Sequence, residues 1–126
     1  MADMDGRPPK SKGFFQSVYF AIQGEIYAFK TERNLLTYLG ICTTFFVINC
    51  LCHVTMLQHV VFIVCLGSVF SAEMFNTAIE HIMDFYTPEI HPEVKIIKDL
   101  AAAGVWMTGG AFFIMEGIYI WHALFG

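Results

Sequence analysis

The stretch Leu35–Leu57, LLTYLGICTTFFVINCLCHVTML, decides the fold because none of its residues carries a formal charge. A helix needs about 20 predominantly apolar residues to cross a bilayer, and this run has that length. Two later runs, Val60–Met83 and Leu100–Leu124, are similarly long and contain few charges. The sequence therefore predicts three transmembrane helices, with Gln58 and His59 forming a short polar turn between the first two.

The composition of the whole chain supports a membrane protein. Of its 126 residues, 56% are hydrophobic and 14% are charged, whereas a soluble domain carries about 25% charged residues. A soluble domain of this size would need more charge to cover its surface. The composition therefore argues against a soluble monomer, a basic protein that binds nucleic acid and a disordered chain. The length allows one domain at most.

Residues 14–33 predict a helix that lies on the membrane surface. Apolar residues recur there at helical spacing on one face, while glutamines and a lysine lie on another. Such a segment is too polar to span a bilayer but amphipathic enough to lie on one. The polar residues 1–13 predict a disordered tail. The predicted fold is an all-α membrane protein in which residues 14–126 form one domain, with this surface helix and three transmembrane helices.

The basic residues predict the orientation of the chain in the membrane. Five of the seven precede the first span, and two lie between the second and third spans. Because basic residues concentrate on the cytoplasmic side of membrane proteins, the N-terminus and the 85–99 loop are predicted to be cytoplasmic and the C-terminus to be outside. The seven are Arg7, Lys10, Lys12, Lys30, Arg33, Lys95 and Lys98.

A stripe of polar residues follows one face of the second predicted span. Its members lie at offsets of 0, 3, 7 and 11, which one face of a helix accommodates, and further charges are predicted at the same depth. Carboxylates in a membrane span are costly and mark a functional hypothesis. Together with lysines they suit Mg²⁺ and phosphate. The stripe is Glu73, Asn76, Glu80 and Asp84, and the neighbouring charges are Glu32, Arg33, Lys95, Lys98 and Asp99.

Two other interpretations account for the stripe less well. Polar side chains can hold helices together by hydrogen bonds, but three carboxylates on one face would repel one another without cations. A small ion- or proton-coupled transporter also uses membrane carboxylates, but it places them near the midplane, whereas this stripe lies at one rim. Glu116, toward the outer leaflet, is better explained as a structural residue paired with a donor such as Asn49 or His53.

The stripe also resembles a known family. The run Glu73–Asp84, EMFNTAIEHIMD, is similar to the E-x-x-N-[ST]-A-[IV]-E-x-x-x-D signature of the prokaryotic diacylglycerol kinase family, which includes undecaprenol kinases of Gram-positive bacteria. His91–Ala102, HPEVKIIKDLAA, matches the H-x₆-K-D segment of that family. The run Glu32–Asn34, ERN, resembles a stretch typical of the Gram-positive branch. The resemblance extends from about Phe14 to the C-terminus.

The resemblance implies a homotrimer of three-span subunits in a bacterial plasma membrane. It also implies transfer of the γ-phosphate of Mg-ATP to the hydroxyl of a lipid alcohol, either undecaprenol or diacylglycerol. By position in the motif, Glu73 matches the catalytic base, Asn76 is the polar residue expected to orient it, and Glu32 and Glu80 match ligands of Mg²⁺. The remaining positions that match nucleotide contacts are Phe20, Glu89, His91, Lys98 and Asp99.

The sequence departs from the family pattern at three positions. Gly13 stands where the enterobacterial branch has a basic nucleotide contact. Ala102 and Glu116 replace polar and aromatic positions that face the lipid in that branch. These departures leave the choice of lipid open, and the ERN stretch favours undecaprenol.

Overall fold

The computed structural model describes residues 13–87 and 91–126, and these residues form four α-helices and no strand. Three of the helices are long and apolar enough to cross a membrane. The predicted all-α fold with three spans is therefore confirmed. Residues 1–12 of the tail predicted over residues 1–13, and the candidate residue Glu89, lie outside the described residues. The helices are α1 (Phe14–Thr31), α2 (Arg33–Leu51), α3 (Met56–Tyr86) and α4 (Pro92–Phe125).

A single extended residue separates α1 from α2. Glu32 has φ −100° and ψ 109°, and its N–H still donates to the Ala28 carbonyl at 2.8 Å. The Thr31 hydroxyl also donates to the Tyr27 carbonyl, one helical turn back in α1, at 2.9 Å. The bend lets the surface helix continue directly into the first span. It also places the Glu32 side chain at the junction of the two helices.

The turn between α2 and α3 lies earlier than predicted, so the prediction of a turn at Gln58 and His59 was wrong. Both residues are in α3. Thr55 caps this helix, because its hydroxyl accepts from the Gln58 N–H at 3.4 Å and the Gln58 side chain accepts from the Thr55 N–H at 2.7 Å. This reciprocal capping box makes a polar residue part of the helix rather than of the turn.

The preceding helix also ends in a defined way. The N–H of Val54 donates to the Asn49 carbonyl at 3.2 Å across the end of α2. His53 adopts the left-handed conformation, with φ 52°, that lets the chain reverse there. Hydrogen bonding at both helix ends therefore confines the turn to residues 52–55.

The α3 and α4 helices form a long antiparallel pair with the most extensive contact in the structure. They have 31 and 34 residues, so each exceeds the roughly 30 Å hydrocarbon core at 1.5 Å per residue. Both extend beyond the predicted spans at the end where they are joined. Pro92 occupies the first turn of α4, and the His91 Nδ1 accepts from the Glu93 N–H at 3.2 Å as a cap.

The core of the single chain is small. Cys42, Phe62, Val69 and Phe112 form a buried cluster, and Phe45 meets the Phe112 ring edge-on with centroids 5.6 Å apart. Many large apolar side chains elsewhere are exposed, as expected for helices that contact lipid or other membrane helices. We call the end of the bundle where α1 meets α2 and where α3 leads to α4 the site end, and the end at turn 52–55 the far end.

Candidate active site

Polar side chains are buried along α3 at the level where α2 begins. Glu73 is 3% exposed, and Asn76 and Thr77 are also buried. Asn34, in the first turn of α2, lies beside Glu73 and interacts favourably with its carboxylate. Glu73 therefore lies level with the start of the first span, and the following turns of α3 extend beyond that level toward the site end.

Two more carboxylates come near Glu73. Glu32 at the junction of α1 and α2, and Glu80 two turns along α3, both lie close enough to interact with it electrostatically. The structure thus brings Glu32, Glu73 and Glu80 together from two segments, at the place that the polar stripe indicated. Such a concentration of like charge is stable only with protons, cations or cationic ligands nearby.

The structure differs from the sequence interpretation in what orients Glu73. The Asn76 amide donates to Glu80 Oε1 at 2.8 Å, whereas the amide that interacts with Glu73 is that of Asn34. The Asn76 Oδ1 is buried and has no hydrogen-bond partner within residues 13–87 and 91–126. A buried acceptor without a donor is rare in folded proteins, and it adds one hard oxygen to the carboxylate group.

These oxygens fit Mg²⁺ better than a metal held entirely by protein. In the described part of the chain, no three His, Cys, Asp or Glu side chains are arranged to hold a metal ion. Mg²⁺ usually takes one or two carboxylates and completes its shell with water and substrate phosphates. Glu32 and Glu80 could supply the carboxylates.

Of the other predicted nucleotide contacts, Lys98, Asp99 and His91 each have a polar partner outside this carboxylate group. Lys98 pairs with Asp84, one helical turn beyond Glu80 on α3, and Asp99 pairs with Lys95 within α4. His91 caps α4. The partner of Lys98 therefore lies on the same face of α3 as Glu80, one helical turn further along.

Phe20 lies apart from these residues. It is on α1, is 42% exposed and contacts the ring of Tyr19. Glu32 lies twelve positions further along the chain, which corresponds to about 18 Å along the helix axis. The structure brings Glu32, Glu73, Asn76 and Glu80 together.

Glu116 lies in a different part of the molecule, as predicted. It is completely buried, and both of its carboxylate oxygens accept from the Asn49 Nδ2, at 3.2 and 3.1 Å. Asn49 belongs to the last turn of α2, so this pair lies toward the far end. The expected pairing of Glu116 with an interhelical donor is confirmed, and the donor is Asn49.

Three residues at the site end were not identified from the sequence: Asn34 and the pair formed by Tyr27 and His81. Asn34 was part of the quoted ERN stretch, but it was given no role. Tyr27 and His81 join α1 to α3 by a hydrogen bond of 3.2 Å. The available signals were the position of Asn34 two residues after Glu32 and the position of His81 directly after Glu80.

Comparison with known proteins assigns the chain to a family. Residues 19–120 match the family model described as prokaryotic diacylglycerol kinase. The undecaprenol kinase of Bacillus subtilis (strain 168) is 33% identical over 92 residues, which cover 73% of this chain and 75% of that protein. These matches do not favour the transporter alternative. The chain belongs to the prokaryotic diacylglycerol kinase family and is a multi-pass bacterial membrane enzyme that uses ATP to phosphorylate a lipid.

Proposed function

We propose that the protein phosphorylates undecaprenol, giving undecaprenyl phosphate, with diacylglycerol as the alternative acceptor. The similarity to the Bacillus subtilis undecaprenol kinase and the ERN stretch at residues 32–34 support this choice. The main structural support for this active site is that Glu73 lies near Asn34, Glu32 and Glu80 where α2 begins. A carboxylate at the edge of a span can meet a lipid hydroxyl from the bilayer and a nucleotide from the water.

Glu73 is the proposed catalytic base. It accepts the proton of the lipid hydroxyl while that oxygen attacks the γ-phosphorus, and the bond from the γ-phosphorus to the bridging oxygen of ADP breaks. Phosphoryl transfer depends mainly on positioning and charge neutralisation, so the protein needs few covalent roles. The neighbouring Asn34 supports this assignment because its amide is a polar partner that can orient the base.

Glu32 and Glu80 are the proposed ligands of Mg²⁺, which when bound would neutralise charge on the ATP phosphates. Asn76 supports Glu80 through its 2.8 Å hydrogen bond. Lys98 can reach toward phosphate if it exchanges its exposed partner Asp84 for the nucleotide. We assign Phe20, Glu89, His91 and Asp99 to outer nucleotide contacts on the basis of the motif positions alone.

The proposed assembly is a homotrimer in which residues 14–126 form the kinase domain. A methyl group added at Gly104, Gly109 or Gly110 of α4 would meet no other atom of the described residues within 4 Å. This small-residue surface is therefore not used within the subunit, and small residues let membrane helices approach closely. The proposed orientation places the N-terminus and the site end in the cytoplasm, as the one-sided basic residues predict.

The lipid choice is tested with the purified protein in mixed micelles, Mg²⁺ and ATP labelled at the γ-phosphate. Undecaprenol and diacylglycerol are compared at equal mole fractions. We expect labelled undecaprenyl phosphate to form with the higher kcat/KM, and E73Q to serve as the inactive control. A higher kcat/KM for diacylglycerol would overturn the assignment of the acceptor, and equal labelling by E73Q would overturn the assignment of the base.

A further inference from the structure

A tyrosine–histidine pair joins the surface helix to α3 beside the carboxylates. The Tyr27 hydroxyl lies 3.2 Å from the His81 Nε2, and the two rings meet edge-on with centroids 5.9 Å apart. The His81 Nδ1 lies 2.9 Å from the Thr77 carbonyl oxygen. Since a carbonyl can only accept, the Nδ1 carries the hydrogen, and the Nε2 of the neutral ring accepts from the Tyr27 hydroxyl. Both partners therefore have defined roles.

The surface helix has limited packing against α3 apart from this pair. Most α1 residues are exposed, although Ala28 is buried and the Phe29 ring lies 5.7 Å from that of Phe70. A groove of about 370 Å³ separates the facing surfaces beside the pair. It is lined by small residues of α1, such as Ala21 and Gly24, and by residues of α3. A directional hydrogen bond has more influence on helix position where close packing is incomplete.

The segments that this pair connects are those that carry two of the carboxylates. Glu32 is the C-cap residue of α1, five positions after Tyr27, and Glu80 directly precedes His81. We propose that Tyr27 is a positioning residue whose hydrogen bond to His81 sets the separation of Glu32 and Glu80. The inference rests on the proposed function, because it assumes that these two carboxylates act together on Mg²⁺ and ATP.

The expected effect is on the use of Mg-ATP rather than on the chemical step. Tyr27 touches neither Glu73 nor a reacting atom, so its loss should leave the saturated rate near that of the wild type. Loosening the end of α1 should raise the Mg²⁺ concentration for half-maximal activity by about three- to tenfold, which is the effect of one net hydrogen bond.

The test uses Tyr27→Phe, which removes one oxygen, with Tyr19→Phe as the matched control. The Tyr19 hydroxyl accepts from Gln23 at 2.6 Å within α1, so its loss breaks no tie to α3. We expect Y27F to raise the Mg²⁺ requirement with little change in kcat, and Y19F to behave as the wild type. An equal shift in both variants, or a fall in kcat with an unchanged Mg²⁺ requirement, would overturn the proposal.

A double-mutant cycle makes the test specific to the pair. His81→Phe keeps an aromatic ring but removes the acceptor, so Y27F should add nothing further to the Mg²⁺ requirement in that background. Full additivity of the two shifts would overturn the proposal. Glu80→Gln separates this inference from the proposed function. If E80Q has a normal Mg²⁺ requirement, the metal role of Glu80 is overturned, and the inference with it. If E80Q has a raised Mg²⁺ requirement but Y27F has a normal one, only the positioning role of Tyr27 is overturned.

Discussion

Glu73 and Glu116 are both buried carboxylates in membrane-spanning helices, yet their surroundings differ completely. Glu73 meets Asn34, Glu32 and Glu80 at the junction of α1 and α2, where three segments come together. In the described part of the chain, the hydrogen bonds to Glu116 come from the Asn49 amide, which donates to both of its oxygens. The burial of a carboxylate in a membrane is therefore not by itself a sign of chemistry. We expect the number and kind of polar groups around a buried carboxylate to distinguish a reactive site from a structural hydrogen bond.

The surroundings of Glu116 explain its structural role. It joins α4 to α2, and these helices are separated nearer their middle by a gap of about 180 Å³ beside Gly109 and Gly110. Because an interhelical hydrogen bond in lipid has no competing water, one amide–carboxylate pair can tie two helices that pack incompletely.

The largest expected effect is that of Glu73→Gln on catalysis. The substitution keeps the shape of the side chain and its capacity to accept a hydrogen bond from Asn34, but it removes the proton acceptor. A general base contributes about 10²- to 10⁴-fold in rate, so kcat should fall by that factor. Steady-state rates at saturating Mg-ATP and lipid measure the effect. A near-normal kcat would show that Glu73, like Glu116, has a structural role and is not the catalytic base.

Glu80→Gln and Glu32→Gln should change the metal requirement rather than the ability to transfer a proton. Each removes one charged hard ligand. The Mg²⁺ concentration for half-maximal activity should rise by at least about tenfold, since even outer partners of metal ligands are worth about 10- to 100-fold in affinity. A magnesium titration of the lipid kinase activity measures it. Glu93→Gln, an exposed carboxylate in the first turn of α4, is the control that should behave as the wild type.

Glu116→Leu should affect stability. It leaves the buried Asn49 amide without its acceptor, which costs about 1–3 kcal/mol of the free energy of unfolding. The double variant N49L/E116L removes both polar partners and should recover much of that loss. Thermal unfolding in detergent compares the three proteins. If E116L were as stable as the wild type, the Asn49 hydrogen bonds would not tie α2 to α4.

The smallest expected effect is that of Asp84→Asn. Its ion pair with Lys98 is exposed, with 69% of the Asp84 side chain and 33% of the Lys98 side chain accessible. Exposed pairs are worth about 0–1 kcal/mol because water and salt screen them. The same unfolding measurement should therefore show a change below about 1 kcal/mol. A loss as large as that of E116L would show that the site end depends on this pair for its stability.

The sequence predicted the elements better than the contacts between them. The apolar runs were long enough to identify three spans, and the helical spacing placed Glu73, Asn76 and Glu80 on one face. The turn was misplaced because Gln58 is polar, and polarity alone does not show that its side chain completes a capping box with Thr55. The partner of Glu73 was missed because Asn34 reaches it only through the packing of α2 against α3.

The most direct measurement of the central claim compares E73Q and E116Q in one assay. Both variants replace a buried carboxylate with an amide in a span of the same protein, so the relief of burial cost is common to both. With γ-labelled ATP, Mg²⁺ and undecaprenol, we predict that E116Q labels the lipid at a rate close to that of the wild type. E73Q should be slower than E116Q by about 10²- to 10⁴-fold. Equal rates in the two variants, or a slower rate in E116Q, would contradict the account.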